Sequence, residues 1–365
     1  MAVSRLCCFS SPAHSLRAPR MVALVVIALV TSVSCDSSPP QTCPFLDPST
    51  CWTFLGPDTT RITAIADFDG VIYAGTFDGL RRFDPQNTTW LPAGLAGKTI
   101  TWIAGSAAAG LWVTVAPHGA DTTSAVAYWS ADRGATWVAR DGGLSALMDY
   151  HGIAYAVVLD PVNNAIIQLG HASGVARSTD AGTTWTNTFG TALERGPSMY
   201  AIISPRDTAT LYAGGRDDVQ AALFLRSEDR GATWTSSRPR GLQDAILSIA
   251  AHPEDHNRVL AGMRSAVWGT PDAGTVWTQV LTTRRPGWVR AIAFAEAGLF
   301  ALADEETVED GLPSSAPGFY LSADAGATWS ALPVAAGARG GTALALWRGG
   351  TVIGTHAGVW FVQLQ

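Results

Sequence analysis

The sequence predicts an all-β protein, a closed ring of seven four-stranded antiparallel sheets. Three observations predict it. A polar run ending in tryptophan recurs along the chain, the same order of short apolar strands fills each interval, and the two chain ends each carry part of one incomplete set. The run reads "SADRGATW" from Ser130, "STDAGTTW" from Ser178, "SEDRGATW" from Ser227, "TPDAGTVW" from Thr270 and "SADAGATW" from Ser322. Its tryptophans, Trp137, Trp185, Trp234, Trp277 and Trp329, are spaced by 48, 49, 43 and 52 residues. Self-similarity at such a period means a propeller or a solenoid. A weaker copy, "FDPQNTTW", ends at Trp90 and has Asn87 in place of the glycine; asparagine is the next best residue for a left-handed turn.

Each interval repeats one order of elements. A first apolar strand such as "ITAIADF", "ITWIAGS" or "ILSIAAH" is followed by a turn such as "DFDG", and then by a second strand such as "VIYAGT", "LYAGG" or "VLAGM". A third strand runs into the polar motif, and the tryptophan opens the fourth. Four short antiparallel strands make one propeller blade. First strands start at Ile62, Ile100, Tyr150, Met199, Ile246, Val289 and Gly341, seven starts against six polar motifs. The last set, "GTALALW", "TVIGTH" and "GVWFVQL", has three strands, while "CWTFLGP" near the other end holds Trp52 and no set of its own. Joined, they complete a seventh blade and remove the free sheet edges that invite aggregation. The expectation is a seven-bladed β-propeller over residues 51–365, closed by its N-terminal strand.

The region before it reads differently. Arg5, Arg17 and Arg20 precede the apolar run "MVALVVIALVTSV", which gives residues 1–34 the look of an export signal. The run ends in "TSVSC", which resembles a bacterial lipobox and implies lipid attachment at Cys35, hence a membrane-anchored envelope lipoprotein; Ser32 stands where that motif usually has Leu or Val, so cleavage and secretion is the alternative. Residues 35–50 are polar and proline-bearing, a tether. Cys43 and Cys51 are left as one disulfide in an oxidising compartment or as two free thiols. A net charge of −6 with no long basic run argues against nucleic acid, which demands clustered positive charge. Neither a metal nor a cofactor is expected. "HPEDH" from His252 aligns with turns rather than a helix, and "DFDG" from Asp67 lacks the other ligands of a calcium loop.

The pattern Ser-x-Asp-x-Gly-x-Thr-Trp resembles the Asp-box, or bacterial neuraminidase repeat. The resemblance covers about residues 51–365 and places each motif on the hairpin between the third and fourth strands of a blade. It implies that Asp132, Gly134 and Trp137, Asp180, Gly182 and Trp185, Asp229, Gly231 and Trp234, Asp272, Gly274 and Trp277, and Asp324, Gly326 and Trp329 are structural. Proteins with such repeats include sialidases, xyloglucan-specific endoglucanases, sortilin-like receptors and the photosystem II assembly factors. The last are single seven-bladed non-catalytic propellers and match best in size. "TRITAI" sets Arg61 where sialidases carry an arginine, but Thr60 and Thr63 replace the expected Phe and Pro.

Strand alternation puts the second-to-third-strand connections on the face opposite the hairpins, with the connections between blades. The excursions "APHGADTTS", "GGRDDVQAA" and "ADEETVEDGLPSSAPG" would then display Asp121, Asp217, Asp218, Glu305, Glu306 and Glu309. Arg216, Arg264 and His356 share that face, with Arg238, Arg240, Arg284 and Arg285 on connections between blades. The candidate ligand-binding set is Arg216, Asp217, Asp218, Arg264, Glu305, Glu306 and His356, with no catalytic residue assigned. The reading is a scaffold that binds a protein or glycan through this loop-rich face; a glycoside hydrolase is the alternative.

Overall fold

The computed structural model describes residues 52–363 apart from 58–59, 117–124, 149–151, 191–197, 204–208, 296–297 and 310–311. The expected leader, the tether, Cys35, Cys43, Cys51, Asp121 and Tyr150 lie outside the described residues.

The described residues form seven four-stranded antiparallel sheets. Their innermost strands are Ile62–Phe68, Thr99–Ser106, Ala154–Leu159, Ser198–Ile203, Ser248–Ala251, Gly287–Ala295 and Gly341–Trp347, which number blades 1 to 7. Each inner strand touches the next around the circle, and Gly341–Trp347 touches Ile62–Phe68. The ring closes as expected. Trp52–Gly56 pairs antiparallel with Gly358–Val362 as the outermost strand of blade 7, with Trp52 opposite Val362.

The core lies between blades. Seven clusters of buried side chains occur among the described residues, each built from two neighbouring sheets. Between blades 1 and 2, Phe68, Tyr73 and Leu80 meet Ile100, Ile103 and Leu111; between blades 7 and 1, Val352 and Val359 meet Ile62 and Ile72. Glycines on second strands permit the approach. A Cβ on Gly75 would stand 2.6 Å from Ile100, and one on Gly354 would stand 2.7 Å from Ile62. The recurring "AG" of the second strand is therefore the surface on which the next blade's first apolar residue rests.

The polar motifs form the predicted hairpins. At Ser178, the hydroxyl donates to Asp180 Oδ1 (2.8 Å) and accepts the Gly182 N–H (2.8 Å). Asp180 then accepts the N–H and hydroxyl of Thr184 at 2.8 and 2.7 Å. The sets at Ser130, Ser227 and Ser322 repeat this arrangement. Two consecutive residues are left-handed, the glycine and the residue before it: Arg133 (φ 60°), Ala181 (54°), Arg230 (57°), Ala273 (57°) and Ala325 (55°). In the weaker copy Thr88 (φ 50°), not Asn87, takes the left-handed position, and the Asn87 amide instead donates to Asp84 Oδ2 at 2.8 Å.

The tryptophans join sheets to one another. The indole N–H of Trp137 donates to Ala93 O (2.8 Å), that of Trp185 to Arg140 O (2.9 Å), and that of Trp234 to Thr188 Oγ1 (3.1 Å), each on the preceding blade. Trp52 does the same to Pro333 O (3.2 Å). Trp277 and Trp329 instead donate to the glycine carbonyl of their own hairpins.

One expected loop is a pair of strands. "ADEETVEDGLPSSAPG" continues strands Gly298–Glu309 and Leu312–Ser322 as a ribbon paired as far as Glu309 opposite Leu312.

Candidate functional site

Alternation of strand direction gives the ring two faces. The hairpin face carries the Ser-x-Asp-x-Gly motifs; the linker face carries the connections between blades and between second and third strands. Inner strands start at the linker face, and there the sheets share an irregularity. The register slips between Ile62 and Ala64, Ile100 and Trp102, Ala154 and Ala156, Met199 and Ala201, Val289 and Ala291, and Gly341 and Ala343. Each slip is a β-bulge, a device that re-aims the extra side chain. The extra residues are Thr63, Thr101, Tyr155, Tyr200, Arg290 and Thr342. On blade 5 the corresponding residue is Leu247, just before the strand. All seven line one central channel of about 410 Å³.

The channel wall is uneven. On blades 3 and 4 the rings of Tyr155 and Tyr200 lie 4.8 Å apart, and the Arg216 guanidinium sits 5.6 Å above the Tyr200 ring. Trp102 lines the wall beside them. Further round, on blade 6, Arg290 is the one charged side chain in the lining among the described residues. Asp304 Oδ2 stands 4.0 Å from it, and His356 Nε2 stands 3.8 Å from the same oxygen. Ser315 Oγ lies 3.2 Å from His356 Nδ1. Burial lowers the proton affinity of Arg290, Asp304 works against that, and Arg61 adds to it. His356 is held below its ordinary pKa first by burial and then by the charge of Arg61, with Asp304 opposing.

The seven residues of the candidate set lie on the linker face, but the structure does not gather them into one cluster. Arg238 binds Asp217 at 2.5 Å and reaches Asp218 at 3.5 Å. Asp217 is buried, and its Oδ1 accepts the N–H groups of Val219 and Ala221, so it shapes its own loop. Arg264 pairs with Glu306 at 3.1 Å and lies 5.9 Å over the Trp288 ring. Glu305 is buried and accepts the Tyr320 hydroxyl, which in turn accepts the Arg284 N–H at 2.7 Å. Burial first, and Glu305 second, push the Tyr320 pKa well up, so that hydroxyl stays protonated. A pocket of about 240 Å³ lined by Arg284, Arg285, Glu305 and Tyr320 lies at this point of blade 6. Of the candidate set, Arg216 and His356 adjoin the channel groups.

Sequence reasoning missed the ring of bulge residues. A signal existed: with the inner strands aligned, the position after the first apolar residue reads Thr, Thr, Tyr, Tyr, Leu, Arg and Thr.

No family model matches the chain. Two curated proteins are similar to parts of it. A xyloglucanase of Hypocrea jecorina is 25% identical over 201 residues, 55% of this chain and 22% of that protein. A xyloglucanase of Paenibacillus sp is 27% identical over 143 residues, 32% of this chain and 14% of that protein. The chain thus spans less than a quarter of the length of these relatives. Among solved structures, YCF48 bound to D1 peptide superposes with a TM-score of 0.60 at 13% identity, covering 86% of this chain and 97% of that one. The RRP9 WD40 repeats give 0.58 at 9%, covering 87% and 98%. The extracellular domain of a one-component system, BT4673 of B. thetaiotaomicron, gives 0.57 at 12%, covering 86% and 39%. The fold is a seven-bladed β-propeller. At these identities the likeness speaks for the fold alone.

Proposed function

We propose that this protein is an exported, lipid-anchored, non-catalytic scaffold built of Asp-box repeats, which binds a peptide segment of a partner protein at the linker-face mouth of its channel. The observation that carries the reading is the lining itself: a tyrosine pair on one wall, a lone arginine on another, threonines between them, and no carboxylate among the described lining residues. Aromatic rings offer an extended segment a large contact at low entropic cost. The export signal and the cysteine of "TSVSC" support a site outside the cytoplasm. The neighbour YCF48 was solved with a peptide bound, which supports this kind of ligand for a ring of this size.

The likeness to xyloglucanases brings the second reading, a glycoside hydrolase. That chemistry needs two carboxyl groups flanking one bond. Asp217 and Glu305 are buried and committed to their own loops, and Tyr320 is a neutral donor rather than a nucleophile. The test is capture on parallel peptide and glycan arrays with the chain from Cys43 onward. Peptides are captured, and Tyr200→Ala loses them. Capture confined to glycans, or release of sugar from xyloglucan, contradicts the proposal.

A further inference from the structure

Around Arg290 the polar groups are under-satisfied. Its guanidinium makes no hydrogen bond among the described residues, since Asp304 at 4.0 Å is beyond hydrogen-bonding distance. Asp304 Oδ1, His356 Nε2, Thr63 Oγ1 and Thr342 Oγ1 are buried with no hydrogen-bond partner. Threonines 63 and 342 sit on the two blades next round the ring from Arg290, and both line the same channel. Buried polar atoms are ordinarily paired, so a cluster of unpaired ones beside a cavity marks a place where something else supplies partners. On the hairpin face two arginines are spent: Arg230 holds both oxygens of Asp160 at 2.7 Å, and Arg133 pairs with Asp69.

The sign of the missing group follows from the charges. Arg61, Arg290 and Asp304 leave one net positive charge at this side of the mouth when His356 is neutral, and the group that faces the channel is the cation. A guanidinium presents a planar fork of donors that fits a carboxylate through two parallel bonds. Two to three blades away, Trp102, Tyr155 and Tyr200 present flat apolar surface. We propose that the channel mouth is a seat for an organic acid, its carboxylate held on Arg290 and its apolar or aromatic body against Tyr155 and Tyr200. This rests on the channel mouth being the binding site. It adds the charge and position of the anchoring group, whether the acid is a free small molecule or the end of a peptide.

A proton is linked to the binding. His356 is faced by Asp304 from the second strand of blade 6, Ser315 from the third, Arg290 from the first and Arg61 from the chain entering blade 1, while its backbone N–H donates to the Arg339 carbonyl at 2.7 Å. An incoming carboxylate offsets the two arginines that disfavour the imidazolium, so the complex holds the proton more tightly than the free protein. By linkage, affinity rises as pH falls.

The experiment uses the full chain in mild detergent, with N-acetylphenylalanine and its carboxamide as probes, followed by calorimetry. A ten-residue peptide ending in phenylalanine, as free acid and as amide, forms the second arm. The acid binds about tenfold or more tighter than the amide, as a charge-assisted bidentate pair demands. Arg290→Gln removes the preference, and Arg290→Lys restores part of it. Equal binding of acid and amide to the wild-type chain, a measurement that needs no variant to fold, overturns the inference. So does an undiminished preference in a folded Arg290→Gln. Array peptides captured equally as acids and amides would leave the proposed function standing and remove only the acid seat. Preference shown by the small acid alone, or only by the peptide, identifies the source. The acid's affinity rises as pH falls from about 8 to about 5, the range in which histidine changes charge, in the wild type and stays flat in His356→Gln; a flat wild-type profile overturns the proton linkage.

Discussion

The two faces of the ring are built from the same strands and treat charge in opposite ways. On the hairpin face Asp132, Asp180, Asp229 and Asp324 have both oxygens occupied by hydroxyl and amide donors from their own turns, and Asp272 has its Oδ1 so occupied. Arginines there clasp the neighbouring blade: Arg133 pairs with Asp69 while its carbonyl accepts the Tyr73 hydroxyl, and the Arg230 carbonyl accepts Gln168 Nε2 and Arg177 Nε. On the linker face Arg290, Asp304 and His356 stand at contact distance without hydrogen bonds between them. The contrast teaches that repetition belongs to the face that holds the ring together. The other face, where each blade contributes a different residue at one position, is free to recognise a ligand.

Substitutions sharpen the contrast, beginning with the largest. Trp185, 5% exposed and bonded to the preceding blade, loses about 3 to 5 kcal/mol of stability as alanine, read by denaturant unfolding. Tyr320→Phe strands the buried Glu305 and costs about 1 to 3 kcal/mol while peptide capture is unchanged. Ser178→Ala leaves the Gly182 N–H without its acceptor and costs about 1 to 2 kcal/mol, again without effect on capture. At the bottom of the scale, Arg264→Ala breaks an exposed pair with Glu306 and shifts stability by less than about 1 kcal/mol.

Acid separates the faces too. The Thr136, Thr184 and Thr328 hydroxyls, helped by backbone amides, hold Asp132, Asp180 and Asp324 at about 2, below the ordinary 3.8. A depressed folded pKa gives stability that is complete above the unfolded value and lost as pH falls through the folded one. Thermal midpoints therefore drop between about pH 4 and pH 2, and the drop shrinks in Thr184→Val. In the fifth hairpin Val276 replaces that threonine, and Asp272 is lowered chiefly by the Val276 amide with the Thr270 hydroxyl.

The ring was legible because its parts repeat. Five copies of one turn fix blade spacing, and Trp52 with the unfinished last set fixes closure, as the pairing of Trp52 with Val362 confirms. The site was far less legible. A bulge leaves no mark of its own in an apolar strand, and the loops that drew notice for their acids spend them locally, as Asp217 and Glu305 do. Charged residues on excursions look available in a sequence; only geometry shows which have partners. Arg290, inside the apolar strand "VRAIAF", was the anomaly to follow.

Amide hydrogen exchange on the full chain, with and without a captured peptide at saturation, tests the division between faces most directly. Slowed exchange at the inner-strand starts around Thr63, Tyr155, Tyr200, Arg290 and Thr342, with the hairpins at 130–137, 178–185, 227–234 and 322–329 unchanged, is the predicted pattern. Protection centred on those hairpins, with the strand starts unaffected, would contradict it.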